Sequence, residues 1–175
     1  MRTLLLGLLV ALLFSACGYK PSSYYAKKMV GDSVYAFVEV LGSDPENAVY
    51  IKDAVNEAII TKFHSKLTSA ADAQTKMHIR ISSIALSPVQ YDKNGYVTLY
   101  RMTVALSTNI SKKDGQTLSN IVSNGSYDFA VEANATLSDE KRFNAIKQSA
   151  AKAIDMLISQ ISVKGSLNDD RSGNK

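Results

Sequence analysis

Three alternating runs joined by two short turns constrain this chain more than any other feature. Met77, Ile79 and Ile81 share one face of the first run. The phase slips at Ser82-Ser83, so that Ile84 and Leu86 continue the apolar set. A slip of one residue predicts a β-bulge. Pro88, which offers no N–H to a ladder, predicts an edge or a strand end. Asp92-Lys93-Asn94-Gly95 then closes a hairpin, with Asn-Gly in the pattern of a type I′ turn. The second run sets Tyr96, Tyr100, Met102, Val104 and Leu106 against Arg101, Thr103 and Ser107. After Lys112-Lys113-Asp114-Gly115, a third run keeps Ile121, Tyr127, Phe129 and Val131 in phase, with Gly125 read as a second bulge. Period-two alternation across two tight turns predicts three consecutive antiparallel strands.

The elements on either side decide the fold class. Ser33 to Leu41 is rich in β-branched and aromatic residues and apolar on both faces, as in a covered strand. Ser43, Asp44, Pro45 and Glu46 supply a capping box, an N-cap and a first-turn proline, which start a helix running to about Leu67. Its apolar arc is wide: Ile51, Val55, Ala58 and Ile59 form one stripe, and Val49, Ile60, Phe63 and Leu67 form a second. One sheet face needs less than that, so the second stripe is expected to meet a partner. Lys62 falls within the arc and is expected to snorkel. A last helix, capped by Ser138 or Thr136, carries Phe143, Ile146, Ala150, Ile154, Leu157 and Ile161 at three-to-four spacing. The predicted fold is α+β, in the order β-α-β-β-β-α, with two helices packed on one face of a four-stranded mixed sheet.

The N-terminus addresses the chain. Met1-Arg2-Thr3, an apolar run to Leu13, and Ser15-Ala16-Cys17 have the anatomy of a secretory signal peptide, too short to span a membrane. Small residues ending in the only cysteine form a lipobox, with Phe14 where Leu is usual. The competing reading is an ordinary signal peptide followed by a chance cysteine, and the lack of a second cysteine to pair with Cys17 favours the lipobox. Residues 1–16 are then the signal peptide and Cys17 the lipid-attachment residue, holding the chain by acyl chains. Gly18, in place of an inner-membrane-retaining Asp, points to the periplasmic face of the outer membrane. Residues 17–32 read as a lipidated tether. Its lysines and tyrosines suit either a headgroup position or a solvated linker. Residues 33–163 form a single α+β domain, and the polar residues 164–175 are expected to be disordered.

Composition excludes more than it asserts. The formal net charge is only +4, without the concentrated basic stripe that nucleic acid requires. His64 and His78 have no metal-ligand spacing, and no phosphate-binding glycine loop or nucleophile elbow is present. No cofactor, metal or catalytic residue is indicated, and an enzyme is not expected.

The chain resembles the lipopolysaccharide-assembly lipoprotein family LptE, in its ε-proteobacterial form. Cys17 to Pro21, Asp44 to Asn47, Lys52 to Ala58, Tyr91 to Val97 and Tyr127 to Ala130 carry the likeness. The resemblance implies a plug-like lipoprotein inside an outer-membrane β-barrel of the LptD type, which binds lipopolysaccharide during its delivery to the outer leaflet. It places a basic residue in the first hairpin turn, at Lys93. The family's second basic position falls near Ser138, with Lys141 and Arg142 one turn further on. The topology independently gathers the Lys93 turn and both helix N-termini at one end of the sheet, and helix N-termini favour phosphate. Lys93, Lys141 and Arg142 are therefore the candidate lipopolysaccharide-binding residues, opposed by Asp44, Glu46, Asp139 and Glu140. The alternative function is an accessory lipoprotein of another envelope machine, an ABC-type lipid transporter or a secretin.

Overall fold

The computed structural model describes residues 22–39, 45–132 and 135–172. The strands are β1 (Ser33–Glu39), β2 (Lys66–Leu67), β3 (Thr75–Tyr91), β4 (Val97–Lys112) and β5 (Thr117–Ala130). The helices are α1 (Ser22–Val30), α2 (Pro45–Thr61) and α3 (Asp139–Ser172). One mixed sheet runs in the order β2-β1-β3-β4-β5. β1 is parallel to β2 and β3, and the two hairpins β3–β4 and β4–β5 are antiparallel. The class is thus the α+β arrangement expected, with, among the described residues, five strands rather than four and three helices rather than two.

Alternate strand positions face the helices and make the core: Met77, Ile79 and Ile81 on β3, Met102, Val104, Leu106 and Ile110 on β4, and Ile121 on β5 are buried. The β3 bulge falls where the phase slips, between Ile81 and Ser83. From α3, Ile146, Ala150, Ile154, Leu157 and Ile161 close the core, with Phe143 against Tyr50 of α2. Each large side chain buried here is worth about 1.5–3 kcal/mol. That docking, rather than intrinsic propensity, holds most of a helix's stability.

Four sequence expectations need correction. The stretch expected to be tether folds from Ser22 as α1, because Ala26, Met29 and Val30 fall on one helical face and are buried. The segment from Lys164, expected to be disordered, continues α3 to Ser172. The two corrections share a cause at Gly165, where a Cβ would stand 2.6 Å from Met29 Cγ and 2.9 Å from the Tyr25 carbonyl oxygen. Without a side chain there, α1 and α3 can touch.

The third correction concerns α2, which ends at Thr61 and not near Leu67. Phe63 is buried and His64 takes a left-handed φ of 52°. The Ser65 N–H donates to the Ile59 carbonyl at 3.1 Å. The helix thus stops on a left-handed residue, a histidine where glycine is usual. The freed residues Lys66 and Leu67 pair with Ser33 and Val34 as β2.

Fourth, Gly125 is not a bulge. It pairs in regular register with Val104, and its missing Cβ leaves room for the backbone of α3. The irregularity in β5 lies instead at Asn120, with φ 59°, whose N–H donates to Asn109 Oδ1 at 2.8 Å. The capping residues Ser43 and Asp44 lie outside the described residues, although α2 does begin at Pro45.

Candidate functional site

Both hairpin turns are built alike, and not as type I′. Gly95 N–H donates to the Asp92 carbonyl at 3.1 Å, and Gly115 N–H to the Lys112 carbonyl at 3.1 Å. Left-handed φ belongs to the glycines, at 86° and 87°, and not to Asn94 or Asp114. Each is a type I turn followed by a left-handed glycine. Asp92 Oδ1 accepts from the N–H groups of Asn94 and Tyr96 at 2.9 and 2.8 Å, which commits this carboxylate to the turn around Lys93. Asp114 does the same for Gln116 at 3.0 Å, and that backbone hydrogen bond is the main reason its carboxyl is held below the usual range.

The expected gathering at one end follows from the register of the helices. Lys152 Nζ donates to the Ser126 carbonyl and Gln160 Nε2 to the Val122 carbonyl, so α3 runs antiparallel to β5. Its first turn therefore lies toward Ala130, the end where β3 and β4 form their turn. The Tyr50–Phe143 contact and the Lys62–Asp155 ion pair set α2 parallel to α3. Both helix N-termini thus share an end with the Lys93 turn. Ser138 caps α3, its hydroxyl accepting from the Lys141 N–H at 3.3 Å.

The three basic residues are at one end but not in one pocket. β3 and β4 pair beyond the last β4–β5 rung, Leu99 with Ala130, as far as Tyr91 with Val97. Lys93 therefore overhangs, while Lys141 and Arg142 sit lower on α3. All three are exposed. Cys17 lies outside the described residues.

The second stripe of α2 is largely at the surface. Val49 is 53% exposed, Ile60 55% and Leu67, now on β2, 40%, whereas Phe63 belongs to the core. Lys62 does reach out of the arc, to Asp155. Between α2 and α3 lies a cleft of about 260 Å³, lined by Ala54, Ala58 and Ala151 with Glu57, Lys62 and Lys147.

One functional arrangement escaped the sequence reading. The free edge of β5 is sealed by one row of α3: Lys152 on the Ser126 carbonyl, Met156 Sδ accepting from the Asn124 N–H, and Gln160 on the Val122 carbonyl. The signal was there as residues at spacing four beside the apolar stripe. The opposite side of the sheet is stepped among the described residues, where β2 spans 2 residues, β1 7 and β3 17. Among the described residues no cluster of His, Cys, Asp and Glu could hold a metal ion, and no helix is long and apolar enough to cross a membrane.

Known structures and sequences can be set beside this arrangement. A putative lipoprotein from Caulobacter crescentus superposes with a TM-score of 0.55 at 9% identity, over 84% of this chain and 96% of its own. An uncharacterized lipoprotein B from Nitrosomonas europaea gives 0.48 at 13% identity, over 77% and 84%. The first likeness supports the fold. No curated protein matches. The model of the LptE family, described as lipopolysaccharide-assembly, matches residues 37–161, from β1 through most of α3. On that match, which spans well over half the sequence, this chain belongs to the lipopolysaccharide-assembly family LptE.

Proposed function

We propose that this protein is the lipoprotein subunit of an outer-membrane lipopolysaccharide translocon, of the ε-proteobacterial type. In this reading it is anchored through lipid on Cys17 at the periplasmic face of the outer membrane. It plugs and supports a β-barrel of the LptD type and binds lipopolysaccharide on its way to the outer leaflet. Family membership over residues 37–161 carries the proposal. The exposed side chains of Val49, Ile60 and Leu67 support it, since apolar surface of this kind is characteristic of docking sites. The family's proteins are non-enzymatic, and we assign no catalytic role. Lys93, Lys141 and Arg142 are the residues assigned to lipid A phosphates, through charge-assisted contacts near two helix N-termini.

The test is to tag the full-length lipoprotein, extract it from outer membranes and identify what co-purifies by mass. A large β-barrel protein is the expected partner. Recovery with a secretin or an ABC-type lipid transporter instead would replace this reading with that of an accessory lipoprotein of another envelope machine.

A further inference from the structure

We propose that the open edge of β3, from Ser82 toward Tyr91, is completed by an extended, uncharged segment of the partner barrel, added as a strand beyond the end of β1. The inference rests on the barrel reading above and specifies how the two proteins join.

The two sides of the sheet are treated differently. On the β5 side, three side chains of α3 occupy outward-facing backbone groups between Val122 and Ser126. On the other side, the pairing of β1 with β3 among the described residues runs from Val34–Thr75 to Glu39–Arg80. β3 continues to Tyr91, paired among the described residues with β4, with register shifts at Ile81/Ser83, Pro88/Gln90 and Gln90/Tyr91. Unpaired edges are normally blunted by charge, above all by lysine, by proline or by bulges. Ser82 to Gln90 contains no charged residue, and its blunting devices are Pro88 and the register shifts at Ile81/Ser83 and Pro88/Gln90. Phe37 (49%), Leu86 (37%), Val89 (44%) and Tyr91 (55%) are exposed along this step. The step adjoins α2, which lies over β1 and β2 with Val49, Ile60 and Leu67 outward, so the edge continues the apolar side already assigned to the barrel.

Among the described residues no segment supplies the missing strand, and the link from β1 to α2 is too short to run its length. Five residues, Val40 to Asp44, separate β1 from α2, a span of at most roughly 17 Å. The length of β3 beyond Arg80 is roughly 35 Å. α1 packs against the C-terminal part of α3, at the opposite end of the sheet. A second copy is a poorer match than a foreign segment. Pro88 has no N–H, so a two-fold pairing of β3 with itself would leave two donors missing instead of one. A charged segment is disfavoured, because Leu86 and Val89 would strip it of water. Main-chain bonds would supply affinity and the exposed apolar side chains specificity, as in other strand additions.

Pro88 also defines a sharp test. It stands opposite Tyr100, and a proline is tolerated there when its nitrogen faces away from β4. Leu86, opposite Met102 with no register shift between, directs its N–H the same way. Leu86→Pro should therefore delete one edge donor while leaving the β4 ladder intact, and Leu86→Ala controls for the lost side chain. We expect Leu86→Pro to reduce barrel co-purification at least tenfold below Leu86→Ala, with matched melting curves. Equal retention by the two variants overturns the strand. In parallel, a benzophenone amino acid is placed at Leu86, Val89, Ile60 or Val122 of the full-length lipoprotein and irradiated in its own outer membrane. Adducts of barrel mass from Leu86 and Val89, and none from Val122, are expected. An adduct from Ile60 alone leaves the barrel reading standing and overturns this one. Dimer-mass adducts from Leu86 and Val89 would make the occupant a second copy. Absence of a barrel adduct from every position overturns both.

Discussion

A Cβ on Gly125 would stand 2.2 Å from the carbonyl oxygen of Ser149, so the backbone of α3 rests on β5 with nothing in between. The Ala153 nitrogen is as close, at 2.3 Å from the same point. Ser149, whose hydroxyl lies 3.0 Å from the Met102 carbonyl, is thereby set above β4 as well.

Gly125→Ala should accordingly destabilise the fold, because its neighbours are backbone and cannot swing aside. Overpacking of this kind costs about 1–3 kcal/mol, a clear fall in melting temperature. A melt within a degree of wild type would show that α3 does not sit this close.

On the sheet face away from α2 and α3, Arg101 Nε and Nη2 donate to Asp128 Oδ1 and Oδ2, both at 2.7 Å. The hydrogen bond from Arg101 is the main cause holding the Asp128 carboxyl below its usual range, and the same bond raises Arg101. A depressed carboxylate lends stability above its unfolded value of about 3.9 and loses it as pH falls through the lower folded value. Asp128→Asn should therefore leave a smaller loss of melting temperature on acidification below about pH 4. Parallel acid curves for variant and wild type would dismiss the pair as a contributor. Both groups are exposed, so the effect at neutral pH should be small.

His64→Gly should stabilise the protein slightly, by about 0.5–1 kcal/mol, since left-handed φ strains a residue with a Cβ and suits glycine. His64→Val should do the reverse. Denaturant midpoints that move the other way would mean that the histidine side chain contributes something the turn does not reveal.

Ile60→Glu should weaken barrel co-purification while hardly moving the melt. The side chain is 55% exposed, and a charge there resists desolvation only when a partner arrives. Unfolding of the variant would place Ile60 in the core after all.

Lys93→Glu with Arg142→Glu should lower lipopolysaccharide affinity at least tenfold, as charge-assisted contacts are worth about 1.5–3 kcal/mol each. Lys112→Glu with Lys113→Glu, at the other hairpin, is the control and should matter much less. Equal losses would indicate diffuse attraction. Binding should also weaken with salt, because exposed charges are screened over about 8 Å at physiological ionic strength.

Local rules made much of this protein legible. Alternation named the buried faces of β3, β4 and β5, the phase slip located the bulge at Ser82, and Ser138 was one of two candidate caps of α3, beside Thr136. Each depends on contacts within a few residues, or on a period that one buried face imposes. What needed the fold was the meaning of residues whose reason lies far along the chain. Gly125 reads as a bulge until α3 is laid over it, and the chain from Lys164 reads as a disordered tail until Gly165 meets Met29 and Tyr25. Ala26, Met29 and Val30 were too short a stripe to declare a helix without α3 to bury them. Periodicity could show that Val49 and Ile60 were surplus to one sheet face. Only strand register could show that, among the described residues, β1 accompanies β3 as far as Glu39–Arg80 while β3 runs on to Tyr91 beside β4, because the length of a pairing is decided by two segments at once.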